Sequence, residues 1–388
     1  MTNDSPSRPG VTRRALLVGT GLSAGAAGAL GGLLGGRLLD QPEEAGLSAA
    51  VPPNGSTIVA EGTTQAGVDR PAIAPGHAFL LIGDIDPQRA AETLTTLGET
   101  ILRLTRGEAP EITPDGPGDL TVTVGVGERV LAASRSPETA ALVSLPEFLG
   151  DAELPAARRG GDLLINVNAS DPSILEPVAA ALTATLTDWQ PRWNQYAFRG
   201  PSTDGVIRNP FGYHDGIIVP RSADELAENT WIADGPLAGG TICVLRRFRL
   251  DTSAFRALPA ERRDAVIGRR QADGIPLSGG TRDSNIDLRA KTEAGELKVP
   301  SDAHARAAHP SFTGSALMLR RSFSYHDSVD DHGHVFISYQ REVETFSRTQ
   351  LRLDEVDAMR TFVTPTATAA FAILPGHSAA SGLGAGLF

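Results

Sequence analysis

The chain has 388 residues, a formal net charge of −11, 41% hydrophobic residues and only 5% aromatic ones. That length suits two packed domains behind a leader, while the acidic balance excludes a general nucleic-acid binder and gives no support to binding anionic lipid. A single cysteine, Cys243, excludes an internal disulfide and a thiolate metal cluster, so stability must come from core packing or from a bound cofactor.

In chain order, Thr12-Arg13-Arg14-Ala15-Leu16-Leu17 comes first, ahead of a run of Ala, Gly, Leu and Val to about Gly36. A charged n-region before an apolar, Gly/Ala-rich h-region reads as a signal segment, and the paired arginines point to the twin-arginine export machinery. Residues 1–45 are assigned to this signal and the start of the linker, with an extracellular, cell-surface or periplasmic destination. Leu47-Ser48-Ala49 is a cleavage candidate, and retention as an uncleaved anchor is the alternative. Residues 46–75, rich in Gly, Pro and Ala without a sustained period, read as a linker.

Ala78–Gly83 reads as a buried strand, Arg89–Leu104 as an amphipathic helix, Leu120–Val124 and Leu163–Val167 as strands, and Ser173–Trp189 as a helix capped by Asp171 or Ser173. This order resembles a ferredoxin-like unit. The second half runs similarly. Thr241–Phe248 reads as a strand, Thr252–Arg270 as a helix broken near Pro259, and Val335–Tyr339 as a strand. Helices are expected from about Glu342 and about Asp354, and Ala369–Leu374 as a closing strand. The fold class expected is therefore α+β. Residues 76–205 and 206–388 form the two domains, with antiparallel sheets facing each other and helices outside.

Five segments of the second half carry chemistry. Gly212-Tyr213-His214-Asp215-Gly216 wraps a tight backbone path around a carboxylate. Ser301–Pro310 holds His304 and His309, either of which can ligate a metal through a ring nitrogen. Leu317–Tyr325 leads apolar residues into the pair Arg320-Arg321. Ile267–Leu277 carries Arg269, and Phe336–Glu342 ends a strand on an acid. Taken singly, each is an ordinary turn, surface or core segment. His332-Gly333-His334 reads as a polar turn rather than a chelate, and Trp231, Tyr325 and Tyr339 as core residues rather than electron relays. Cys243 reads as a buried, inert thiol.

In this order the five segments resemble the dye-decolourising peroxidase family, most clearly from Arg199 to Gly376. The resemblance implies two ferredoxin-like domains of the dimeric α+β barrel type, with haem b in the C-terminal one. It implies His304 as the proximal iron ligand and Asp215 and Arg320 as the distal catalytic pair. It also implies Arg269 at a haem propionate and Glu342, where the family usually has Asp, as the hydrogen-bond partner of His304. Hydrogen peroxide and a small aromatic, phenolic or dye-like electron donor are the implied substrates, and a homo-oligomer is compatible with it. The alternative function is an exported haem carrier or deferrochelatase-like iron-uptake partner, which would need His304 but no distal acid and cation.

Overall fold

The computed structural model describes residues 56–388. The twin-arginine segment and the first part of the expected linker lie outside the described residues. The rest of that linker is no free tether. Gln65 is buried, and its side-chain amide bridges the backbone carbonyls of Val124 and Leu374 at 2.8 and 2.9 Å.

The first half comprises β1 (His77–Asp84), α1 (Ala90–Thr105), β2 (Thr121–Val126), α2 (Glu128–Ala132), β3 (Leu163–Ala169), α3 (Leu175–Thr183) and β4 (Gln190–Phe198). Its strands lie in the order β2-β3-β1-β4, the ferredoxin-like arrangement. The second half begins with β5 (Ile207–Arg208), β6 (His214–Asp215), α4 (Ala223–Asn229), β7 (Thr241–Leu250), α5 (Thr252–Ala257) and α6 (Ala260–Ile267). It continues with α7 (His304–Ala307), α8 (Pro310–Thr313), β8 (Leu319–Arg320), β9 (Phe323–His326), β10 (His332–Gln340), α9 (Val343–Val356) and β11 (Val363–Ile373). Its order, β11-β7-β10-β9, repeats that of the first half. The duplication is thus plain in topology though invisible residue by residue.

The two sheets do not merely face each other. β11 pairs with β2 and β4 pairs with β9, while β7 also pairs with β10, so one antiparallel ladder closes into a barrel. Closure gives each long strand a neighbour on both sides, if only over part of its length. The seams are thin, a single register pair (Phe198↔Ser324) on one side and two on the other.

Strand parity sorts the side chains. From β1, Ala78, Leu80 and Ile82 fill the barrel interior together with Cys243 and Leu245 of β7 and Val335, Ile337 and Tyr339 of β10. Leu81, Ile165 and Val167 point outward and are covered by α1 and α3. In α1 the buried residues Leu94, Leu97, Ile101 and Leu104 recur at helical spacing, each burial contributing roughly 1.5–3 kcal/mol. Asp171 accepts from Ser173 N at 2.8 Å and starts the turn before α3. The expected helix to Trp189 ends at Thr183, and β4 follows. Its Pro191 and alternating polar residues hide a strand whose outer face is exposed. Of the separate helix expected from about Asp354, the start is the last turn of α9, and a short 3-10 helix at Ala358–Phe362 follows.

Candidate haem site

The outward face of the second-half sheet is covered by α6, α7 and α9. Between sheet and helices lies a cavity of about 520 Å³. Its sheet side includes Phe248 of β7, Arg320 of β8, and His334 and Phe336 of β10. The helix side brings His304 from α7 and Phe346 and Leu353 from α9.

Asp215 reaches the cavity on a hairpin. β5 pairs with β6 through Ile207↔Asp215 and Arg208↔His214, and the Asn209 carboxamide oxygen accepts from the N–H groups of Phe211 and Tyr213, both at 3.1 Å. Phe211 and Tyr213 pack on Phe255 of α5, and the Tyr213 hydroxyl donates to Asp264 of α6 at 2.5 Å. The hairpin is therefore fastened to the helix that delivers Arg269. That helix stops at Gly268, whose φ of 90° suits a residue without a side chain.

The carboxylate oxygens of Asp215 have different neighbours. Oδ1 accepts from the Gly216 N–H at 2.7 Å and lies 3.6 Å from Arg320 Nε, while Oδ2 lies 3.7 Å from His334 Nε2. Burial pushes the Asp215 pKa up, but Arg320, His334, the Gly216 N–H and Arg199 outweigh it and hold the group below its ordinary value. Asp215 is therefore a carboxylate at neutral pH. Arg320 Nη1 donates to Ile218 O at 3.1 Å, which fixes the guanidinium above the acid.

His304 is the first residue of α7. Its Nδ1 lies 2.6 Å from Asp357 Oδ2, and the Asp357 side chain is only 3% exposed. Burial alone would depress the His304 pKa, but the charge and hydrogen bond of Asp357 raise it. With Nδ1 engaged, Nε2 is the ligating nitrogen that remains.

The acid at His304 is thus Asp357, not Glu342. Glu342 is exposed and precedes α9, whose 14 residues carry the chain about 21 Å further on before Asp357. Arg269 is 8% exposed and lines the cavity, but Nη1 and Nη2 already donate to the carbonyls of Gly274, Arg282 and Ser284. His309 also borders the cavity, although its Nδ1 accepts from Ser311 N and caps α8. Tyr325 and Tyr339 are buried, as is Cys243, whose thiol pKa burial pushes up.

Sequence reasoning missed Asp357 and misread His334, whose His332-Gly333-His334 segment opens strand β10 and is not a polar turn. Asp357 had no signal beyond an acid closing a helix. His334 had one: it shares strand parity with Phe336, opposite to the core residues Val335 and Ile337.

A cavity of this volume, largely apolar in its walls, suits a planar cofactor. An imidazole backed by a carboxylate, set among arginines, fits ferric haem and its propionates. The fold and this donor set define a haem peroxidase built on a duplicated ferredoxin-like barrel. The chain belongs to the Dyp-type peroxidase family: residues 69–199 match its N-terminal domain and residues 207–378 its C-terminal domain. It is 32% identical to a dye-decolorizing peroxidase of Thermobifida fusca, over 96% of each chain. It is 27% identical to a deferrochelatase of Escherichia coli, over 77% of this chain and 73% of that one. The solved structure of ferric DtpA from Streptomyces lividans superposes with a TM-score of 0.78 at 30% identity, covering 85% of this chain and 96% of that one.

Proposed function

We propose that this haem peroxidase would hold haem iron through His304, with Asp357 fixing the ring, and works on hydrogen peroxide with Asp215 and Arg320. The observation that carries this reading is the His304–Asp357 contact at 2.6 Å on the helix side of a cavity whose sheet side presents an ionised Asp215 beside Arg320. When bound, haem supplies the iron that takes up peroxide and the redox capacity that passes oxidising equivalents to the donor. Asp357 holds the Nδ1 proton and so presents the Nε2 lone pair. Asp215, as a carboxylate, accepts the first peroxide proton. Arg320 stabilises the negative charge that builds on the departing oxygen. Arg269, a buried cation in the cavity wall, would offer its charge to a haem propionate in this reading, its Nη atoms being held by backbone carbonyls.

The electron donor in this reading is a small aromatic, phenolic or dye-like molecule, and the protein is exported through residues 1–45. Asp215 and Arg320 favour turnover over a carrier role, which requires neither. The test is absorbance spectroscopy of the purified protein with haem and then stoichiometric peroxide. A Soret band that His304→Ala abolishes, and a rapid peroxide-induced change that a phenol reverses, are expected. Peroxide that only bleaches the band would select the carrier. For export, Arg13→Lys with Arg14→Lys should retain the protein in the cytoplasm, and unchanged secretion would refute the route.

A further inference from the structure

The distal chemistry described so far uses one acid and one cation, yet the cavity wall holds a third ionisable group beside them. His334 stands on β10 between Phe248 of β7 and Ser324 of β9 in the ladder. Its side chain is 14% exposed, and Nε2 points at Asp215 Oδ2, 3.7 Å away. That oxygen has a different neighbour from Oδ1, which is held by the Gly216 N–H and faced by Arg320. Nδ1 of the same ring is buried and has no hydrogen-bond partner among the described residues. An imidazole kept half-satisfied at a buried position costs roughly 1–3 kcal/mol, a penalty that an apolar residue would not incur. Packing alone therefore does not account for a histidine here.

We propose that His334 is the proton partner of Asp215, so that the distal base is a carboxylate–imidazole pair. This rests on the peroxidase reading. The separation exceeds a hydrogen bond but closes by a small ring rotation or one bridging water, as catalytic contacts often do once substrate is present. The charged and titratable groups facing the ring are Asp215 from β6, Arg320 from β8, Arg199 beyond β4, and His304 across the cavity. Burial, Arg199, Arg320 and His304 lower the His334 pKa and outweigh Asp215, which raises it. The ring is thus neutral near pH 7 and able to accept a proton.

The proton balance closes within the pair, while the two electrons that reduce the departing oxygen, and the place of the oxygen left behind, would be supplied by bound haem. The proton leaves a peroxide oxygen for Asp215 Oδ2 and is shared with His334 Nε2. It then returns to the hydroxide that departs when the O–O bond breaks, so one water forms and the pair ends as it began. Holding the proton on the imidazole leaves Asp215 anionic beside Arg320 while the bond breaks. His334 acts through Asp215 and is in that sense a positioning residue.

Two measurements test the pair. In the haem-loaded protein, fluoride should bind with protonation of the distal base, so its affinity read from the Soret band between about pH 4 and pH 8 is expected to report that base. His334→Leu should remove one inflection from that profile and slow the peroxide reaction by roughly tenfold or more. His334→Gln, which keeps hydrogen-bonding capacity but does not titrate, should lose the same inflection. A wild-type profile in both variants, or full recovery of rate and profile in His334→Gln, would overturn the proposal. In the haem-free protein, the His334 ring titrated by NMR should show a lower midpoint in Asp215→Asn than in wild type. An unchanged midpoint would overturn the pair independently of haem binding, so this arm stands even where the peroxidase reading itself fails.

Discussion

Replacing Asp357 by Asn perturbs His304 and little else. Asp357 has two duties: Oδ2 meets His304 Nδ1 at 2.6 Å, and Oδ1 accepts from Met359 N at 2.8 Å to start the turn after α9. The Asn carbonyl can keep the second, so the backbone should survive. The carboxamide then turns an NH₂ group towards Nδ1. A donor there makes Nδ1 the acceptor and moves the ring proton to Nε2, the atom needed for iron. A charge-assisted hydrogen bond contributes about 1.5–3 kcal/mol, and loss of a partner behind a metal-binding histidine typically costs 10–100-fold in affinity, or about 1.4–2.7 kcal/mol. The two figures agree. Asp357→Asn should therefore weaken haem binding about 10- to 100-fold, measured by Soret titration against a competing haem acceptor. Glu342→Ala should leave the affinity unchanged. Wild-type affinity in Asp357→Asn together with a loss in Glu342→Ala would refute the assignment.

Arg320→Leu should slow the peroxide reaction more than Asp215→Asn, because the cation faces the charge that develops as the O–O bond breaks; stopped-flow absorbance giving the reverse order would count against it. Arg246 and Asp151 form a buried bidentate pair at 2.6 and 3.0 Å beneath the cavity. Asp151→Ala strands the guanidinium and should lower stability by about 3–5 kcal/mol in urea unfolding, and a loss under about 1 kcal/mol would show that the pair is solvated. His377 is 3% exposed and its pKa is lowered, chiefly by burial, from 6.5. The unfolded chain therefore takes up the proton first. Stability is complete above about pH 6.5 and falls below it by about 1.4 kcal/mol per pH unit for this group, until the folded ring protonates too. His377→Gln should flatten the fall of the haem-free unfolding midpoint between about pH 7 and pH 5, and an unchanged slope would assign the proton elsewhere.

The parts of the site that the family resemblance picked out lie in segments with a local character of their own. Asp215 sits between glycines on a tight hairpin, Arg320 follows an apolar run, and His304 opens a short helix after a loop. In each case the neighbouring residues already constrain the backbone. The structure gathers them, with Arg269, around one cavity. Barrel closure was less legible, because the joining ladders amount to one and two register pairs between strands such as β4 and β9, too little to imprint a pattern. Asp357 was hidden for a different reason. Its nearness to His304 depends on the length and direction of α9, so a position-by-position match stopped at Glu342, one helix too early.

His334 was recoverable. Once Val335, Ile337 and Tyr339 are assigned to the core, strand alternation puts His334 and Phe336 on the other face. That face reads as solvent in a sheet with one covered side. Here both faces of the second-half sheet are covered, one by the barrel interior and the other by helices across a cavity. A polar residue on the face opposite a strand's core residues is then turned into the cavity and not into bulk solvent. It has to be matched to a ligand or to an ionisable partner, and in this barrel the partner within reach is the carboxylate of Asp215.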